Sequence, residues 1–383
     1  MRLIFYLKHF PPDGKELVRG TTKAVHGLVS GCAHAGAKVT IICEGDHRSS
    51  DVSDSGYGIE CFRQQSGLRQ FSVSKEMKNW ISDCEKEAVF VLNGMFHPRL
   101  TALKRVLKKT GRPYIIATHG DYHPASFHKH ALRKHVYWHA FERPLLQGAA
   151  AIQVLDQRHQ RNLSRRGVTG PFLVSPNGCF PVEVQRSPMT AGRRTRMLLF
   201  GRLDIYHKGI DLLLGALQII LRRHDVDLTI QGPEHDPREK INRLILEAGL
   251  RDRARCLAPE YDLPPSDVMS QYDMVVMPSR FEGFGLSALE AMVAERVVLI
   301  TTEAGIAPHV EKSKCGVVID PTIDGIIKGL EDLISRKNSW KSMGSSGRRY
   351  ALKELTWERI GEETLAGYRS VLGSVENQKK STT

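Results

Sequence analysis

Short β-branched runs alternate with helix-length segments along almost the whole 383-residue chain. In the first half the strand-like runs are Arg2 to Leu7, Lys38 to Cys43, Val89 to Leu92, Tyr114 to Thr118, Ala150 to Val154 and Phe172 to Ser175. Helices are predicted over Thr21 to Ala35, Pro98 to Lys109, Leu132 to Leu146 and Asp156 to Arg166. The second half restarts the pattern, with strands at Met197 to Phe200, Leu228 to Gln231, Met274 to Met277, Val297 to Ile300 and Val317 to Ile319. Its helices are Gly209 to Arg222, Arg238 to Ala248, Leu286 to Ala294 and Ile323 to Ser335. Such alternation predicts parallel sheets covered by helices on both faces. Pro176-Asn177-Gly178 and the polar, basic stretch Gln185 to Arg196 interrupt it and mark a linker. The expected fold is α/β: two doubly wound domains, residues 1–183 and 184–356, facing a central cleft. A final helix over 357–372 and a disordered tail over 373–383 complete the chain.

No apolar run reaches the roughly 18 to 20 residues that cross a bilayer. The apolar start, Leu3 to Leu7, ends at Lys8 and is too short for a secretory signal. A cytoplasmic protein is therefore expected. The seven cysteines are scattered, with no Cys-x-x-Cys pair, and read as small core residues in a reducing compartment. Charge changes the picture more. The chain has 55 Lys and Arg against 42 Asp and Glu, yet residues 1–180 alone carry 26 against 14. Nearly all of the surplus lies in that half, which should face an anionic partner: a membrane surface, an acidic substrate or nucleic acid. Lys104-Arg105 with Lys108-Lys109, and Arg161 with Arg165 and Arg166, are each readable as solvated helix faces; the asymmetry between halves is not.

The segment Pro278 to Met292 carries the most chemistry. It follows an apolar strand and opens a helix whose Leu286, Leu289 and Val293 repeat on one face. Glycines at the turn let a ligand approach the backbone, and the amides of Phe284 to Ser287 at the helix start favour an anion, so the turn reads as a phosphate site. Glu282 precedes the helix, and Glu290 lies about two turns inside it. Alone, this is an ordinary strand-turn-helix with two surface glutamates. Gly201 to Gly209 changes that reading, because it follows the first strand of the same half with Arg202 at the strand end and Lys208 at the next helix start. Two cations converging there would neutralise a diphosphate.

With these residues in place the sequence resembles the GT-B glycosyltransferases, specifically the retaining family GT4, or glycosyltransferase group 1. Glu282 and Glu290 match its Glu-x(7)-Glu element, and Arg202 and Lys208 match its Arg-x(5)-Lys element. The resemblance covers nearly the whole chain and is strongest from Gly201 to Pro308. It implies two Rossmann-like domains, with the C-terminal helix returning to the N-terminal one, and transfer of a sugar from a nucleoside diphosphate donor to an acceptor hydroxyl. It also implies roles. Arg202 and Lys208 would hold the diphosphate, Glu282 the donor sugar with the amides of Gly283, Phe284, Gly285 and Leu286 around it, and Glu290 the ribose. The nucleobase would lie near Ala258-Pro259-Glu260. The family's glycine pair after the first strand is represented here by Arg19-Gly20, so only Gly20 carries over. His119, at the end of the Tyr114 to Thr118 strand, matches a histidine that many members place near the reacting sugar.

No metal or other cofactor is expected, since the positive side chains take the metal's place in this family. His135 and His139 have helical metal spacing but lack the glutamate of a His-Glu-x-x-His site, and His123, His128 and His130 add no pattern. Asp225-Val226-Asp227 sits where a helix runs into a strand and is read as solvent-facing. The basic N-terminal half suggests an acceptor saccharide linked to a lipid, at the inner face of a membrane, as in surface polysaccharide or lipopolysaccharide assembly. A soluble acceptor is the alternative. A nucleic-acid-binding protein would explain the charge, but there is no aromatic-rich basic sheet or reading helix, and Glu282 to Glu290 would go unexplained.

Overall fold

The computed structural model describes residues 1–11, 20–65, 67–120, 122, 131–184 and 194–380. The chain divides into two units, Met1–Gly178 with Trp357–Thr383, and Cys179–Thr356. The boundary thus falls at Gly178, earlier than the expected 183, and the last helix belongs to the first unit.

Unit 1 is built on β1 (Arg2–Tyr6), β2 (Lys38–Gly45), β3 (Ser49–Val52), β4 (Gly58–Arg63), β5 (Val89–Asn93), β6 (Tyr114–Ala117), β7 (Ala151–Val154) and β8 (Phe172–Val174). They form one sheet in the order β3-β4-β2-β1-β5-β6-β7-β8. Every pairing is parallel except β3 with β4. Ile4, Tyr6, Phe90, Leu92 and Ile116 form the centre of its core, because strands buried on both faces can carry apolar residues at successive positions. β3 and β4 were not anticipated. β3 is a polar, mostly exposed edge with no apolar run to betray it.

Unit 2 contains β9 (Thr195–Phe200), β10 (Val226–Gln231), β11 (Ala254–Leu257), β12 (Met274–Met277), β13 (Val297–Thr301) and β14 (Gly316–Ile319). This six-stranded sheet is parallel throughout, in the order β11-β10-β9-β12-β13-β14. In each unit the chain order reverses beside the first strand: between β1 and β5, and between β9 and β12. There the loops leave in opposite directions and open a crevice at the carboxyl ends, the usual ligand position of a doubly wound sheet.

Two expectations about helices are corrected. Leu132 to Leu146 is not one helix but Ala131–Tyr137, a π-helical turn Trp138–Glu142 and Arg143–Gln147. Pro144 has no amide to donate to the preceding turn, and Glu142 is turned inward, accepting from the Phe96 amide at 2.9 Å and the Tyr122 hydroxyl at 2.5 Å. The final helix is Trp357–Lys380, so residues 373–380 of the expected disordered tail are helical, and 381–383 lie outside the described residues. This helix crosses Gly20–His34 so closely that a Cβ on Gly361 would lie 2.2 Å from the Gly31 carbonyl carbon. The Tyr368 hydroxyl donates to Gln153 Oε1 on β7, and Ser175 Oγ lies 2.7 Å from Thr364 Oγ1. Among the described residues no helix is long and apolar enough to cross a membrane.

Candidate active site

Both motifs of the second half lie at the carboxyl end of the unit 2 sheet, flanking its switch point. Gly201 follows β9 and Pro278 follows β12. The two loops are fastened to each other. Gly209 has φ of 64°, and a Cβ on it would sit 2.1 Å from the Pro278 carbonyl oxygen, so only glycine allows this approach. The Arg280 amide donates to the His207 carbonyl at 2.9 Å. Its guanidinium donates to the Tyr206 carbonyl at 2.8 Å and to both carboxylate oxygens of Asp211 at 2.8 and 2.7 Å. Phe281 meets the His207 ring edge-on at 4.7 Å.

This fastening brings Lys208 to Glu282: the ammonium donates to Oε2, and the two side chains are 15% and 21% exposed. Gly201 lies alongside, where a Cβ would touch Ser287 Oγ at 3.5 Å and Lys208 Nζ at 3.9 Å. The loop carrying Glu282 is braced from behind by its amide bond to the Glu303 carbonyl, 3.1 Å, and by the Ile306 amide to the Phe284 carbonyl, 2.8 Å. Gly285, with φ of 105°, starts the helix Leu286–Val293 without a side-chain cap. The amides of Leu286 and Ser287 therefore have no acceptor within that helix. The Phe284 side chain is buried, leaving only its backbone to face a ligand. Gly283 is half-buried in the turn, and Glu290 half-buried on the helix.

The sequence led us to expect Arg202 and Lys208 to converge on one point. In the structure Lys208 is paired with Glu282, and the Arg202 side chain is 56% exposed with Nη2 3.9 Å from Asp204 Oδ2. Asp204 is buried and also accepts the His207 amide at 2.9 Å, so it braces the loop between the two cations. Asp204, Arg280 and the Ser287 hydroxyl were not singled out from the sequence. Arg280 reaches Asp211 across a long stretch of chain, which no local pattern reveals; Ser287, at the start of the helix after a glycine turn, could have been read. Ala258-Pro259-Glu260 follows the edge strand β11, where Gln231 Nε2 donates to the Ala258 carbonyl at 3.1 Å. Asp225 and Asp227 lie at the opposite, amino end of β10, paired with Arg194 and Arg253.

In unit 1, Asn93 ends β5 and His119 follows β6. His119 is held at φ of 48° with Nε2 2.7 Å from Asn93 Oδ1. Burial pushes its imidazole down to about 4, so the ring is neutral near pH 7. Gly20 is the exposed first residue of the helix Gly20–His34, whereas Arg19 lies outside the described residues. His123, His128 and His130 also lie outside them. His135 and His139 are exposed and separated by the passage into the π-helical turn. Among the described residues no three His, Cys, Asp or Glu side chains gather as a metal site would require. Near the switch point of unit 1 stands an ion pair the sequence reading missed. Arg99 Nε donates to Glu44 Oε1 at 2.8 Å and Nη2 to Oε2 at 3.2 Å, and the Tyr6 hydroxyl donates to Oε1 at 2.7 Å.

The family model for glycosyl transferases group 1 matches residues 185–350, and that for the glycosyl transferase 4-like domain matches residues 19–178. MMP alpha-(1->4)-mannosyltransferase of Mycolicibacterium hassiacum is 25% identical over 62% of this chain and 59% of its own. The GDP-mannose:cellobiosyl-diphosphopolyprenol alpha-mannosyltransferase of Xanthomonas campestris is 23% identical over 70% of each. The match thus spans less than two thirds of the first of these proteins. Sucrose-phosphate synthase from Thermosynechococcus elongatus shares the fold, with a TM-score of 0.79 over 97% of this chain and 99% of that one, at 18% identity.

Proposed function

Because the chain belongs to the group 1 glycosyl transferases and both units have the parallel-sheet architecture of the GT-B fold, we propose that it is a retaining hexosyltransferase that uses a nucleoside diphosphate sugar. Lys208 would share its protons between Glu282 and the diphosphate, while Arg202 swings onto the same group with two parallel N–H donors. The amides of Gly283, Phe284, Gly285 and Leu286 and the Ser287 hydroxyl add neutral donors. Glu282 accepts from hydroxyls of the donor sugar, and Glu290 from the ribose. By the family resemblance, Gly20 would allow close approach to the phosphate or sugar, and His119 would serve the reacting sugar.

In the reaction the bond from the anomeric carbon to the diphosphate oxygen breaks, and Arg202 and Lys208 stabilise the charge that develops there. The acceptor oxygen bonds to that carbon on the same face, and its proton passes to the departing diphosphate. Two cations supply the charge that a metal would otherwise bring, so no metal is included in the scheme. The observation that supports this most is the partly open Lys208–Glu282 pair beside Ser287 and an uncapped helix start, at the switch point of the sheet.

The acceptor we propose is a lipid-linked saccharide, in surface polysaccharide or lipopolysaccharide synthesis, with the protein cytoplasmic and docked on the anionic inner face of a membrane. Three observations support it. Residues 1–180 hold the charge surplus. The helix Ala131–Tyr137 presents Leu132 and Val136, 81% and 62% exposed, one turn apart beside Arg133. The Xanthomonas relative is named for a diphosphopolyprenol acceptor. A panel of nucleotide sugars, read by hydrolysis and by thermal stabilisation, tests the donor half: one should raise the melting temperature, and indifference to all of them ends the proposal. Binding to anionic vesicles at low salt tests the membrane half, and its absence would remove that half alone.

A further inference from the structure

Three side chains that carry or can gain a positive charge gather around one carboxylate oxygen of unit 2, and the scheme above uses only one of them. Asp204 Oδ2 lies 2.8 Å from His207 Nδ1, 3.6 Å from His235 Nε2 and 3.9 Å from Arg202 Nη2. The Asp204 side chain is 6% exposed, whereas those of Arg202 and His235 are each 56% exposed, so the carboxylate is the fixed member of the group. His235 comes from the loop after β10, and the backbone holds that loop in place: the Leu203 amide donates to the Pro233 carbonyl at 2.8 Å and the Asp236 amide to the Leu203 carbonyl at 2.8 Å. The other charges nearby are already engaged. Asp236 accepts from the Ile205 amide at 2.9 Å and from Lys240 at 3.1 Å, Glu234 from Arg238, Asp211 from Arg280 and Glu282 from Lys208. Among the described residues, Arg202 is the one permanent cation in contact with Asp204.

The scheme moves Arg202 onto the diphosphate, and that movement takes the permanent cation away from a nearly sealed carboxylate. The His207 amide remains, donating to Oδ1 at 2.9 Å, but an ionised group with little access to water is costly without a counter-charge. The two imidazoles stand at the oxygen that Arg202 leaves. His207 Nδ1 is sealed from solvent, and a bare lone pair facing a carboxylate oxygen at that distance would be repelled, so the neutral ring holds its proton on Nδ1. The proton that makes it a cation therefore goes to Nε2. A proton on either ring would restore the balance of charge.

We propose that Asp204 is a positioning residue that parks Arg202 in the free protein, and that His207 and His235 take up a proton from solvent as Arg202 transfers to the bound diphosphate. The inference rests on the transferase reading and deepens it: the affinity for the donor becomes linked to pH. One proton moves from solvent to an imidazole nitrogen, and no bond of the donor breaks in this step.

Isothermal titration calorimetry of the whole protein tests it, with UDP-glucose, GDP-mannose and ADP-glucose as probes, because the diphosphate of a nucleotide sugar exchanges no proton of its own near neutral pH. Each is titrated near pH 7 in HEPES and in Tris, whose ionisation enthalpies differ, so the difference in heat counts the protons exchanged. For the donor that binds, the native protein should take up roughly 0.3–1 proton per molecule bound, and the affinity should fall about tenfold between pH 6 and 8. Asp204→Asn keeps an oxygen for the His207 amide while removing the charge, so it should abolish the uptake and flatten the pH dependence. His207→Gln and His235→Gln should each reduce the uptake, and the variant carrying both should show none. No uptake in the native protein, undiminished uptake in Asp204→Asn, or uptake that survives the loss of both histidines overturns the proposal and leaves the transferase reading standing. Should Asp204→Asn fail to fold, the native titration and the two histidine variants decide the matter. If no nucleotide sugar binds at all, the transferase reading fails, and the parking role with it.

Discussion

Both units place an arginine or lysine against a glutamate near the carboxyl end of a parallel sheet, close to the strand where the order reverses, and the two pairs differ in what surrounds them. In unit 1, Arg99 and Glu44 have side chains 2% and 1% exposed, and Tyr6, Gln65 and the Arg69 carbonyl take up their remaining hydrogen-bonding capacity. Such a pair is fully desolvated and cannot give up a partner without leaving a bare charge in the interior. In unit 2, Lys208 and Glu282 are partly open and beside a helix start with no side-chain cap, so an incoming anion can compete for the ammonium without that penalty. The same type of contact in the same type of fold is scaffold in one case and a candidate site in the other. Burial, not the identity of the charges, separates them.

The sharpest way to break this comparison is to delete one cation from each pair. Arg99→Ala should destabilise unit 1 by about 3–5 kcal/mol, the usual cost of orphaning a buried charge. Thermal unfolding measures it, and a melting temperature near that of the native protein would contradict the scaffold role. Lys208→Ala, Arg202→Ala and Glu282→Ala should each lower kcat by about 10²–10³-fold, as the loss of a preorganised electrostatic contact does. Their unfolding transitions should barely move; full activity in Glu282→Ala would refute its role.

Two smaller effects sharpen the contrast. Gly209→Ala tests the fastening of the unit 2 loops, since it forces a Cβ onto the Pro278 carbonyl at a left-handed φ. It should cost roughly 1–3 kcal/mol and weaken donor binding, and a normal KM in a stable variant would show that the fastening is dispensable. Unit 1 should carry the pH sensitivity. Burial lowers both His97 and His119 to about 4 from an ordinary 6.5, so the unfolded chain takes up protons that the folded one refuses. Their stabilising effect is whole above pH 6.5 and is lost as pH falls from 6.5 to 4. Melting temperatures across that range should fall less steeply in His119→Gln. The smallest effect is expected from Leu132→Ser, which should reduce vesicle binding a few-fold and change stability by less than about 0.5 kcal/mol, because that side chain already faces solvent.

The legible parts of the chain share one property. β12 and the helices Pro98–Lys109 and Ile323–Ser335 have the predicted bounds, because apolar periodicity and end signals are local. Arg202, Lys208, Glu282 and Glu290 stand out for the same reason, as fixed spacings after apolar strands. β3 and β11 escaped notice because edge strands need no continuous apolar run. The π-helical turn at Trp138–Glu142 was equally hidden, since it depends on Glu142 finding partners at Phe96 and Tyr122.

From the sequence alone, then, came the two doubly wound halves, the uneven charge and the spacing of the motif residues, each a property of neighbours along the chain. Tertiary structure alone decided that Lys208 pairs with Glu282 while Arg202 stays largely exposed near Asp204, that Arg99 is sealed against Glu44, and that His119 meets Asn93. A charge or a tautomer takes its energy from the groups and the solvent around it. In each of these cases those groups come from distant segments that meet only in the folded sheet.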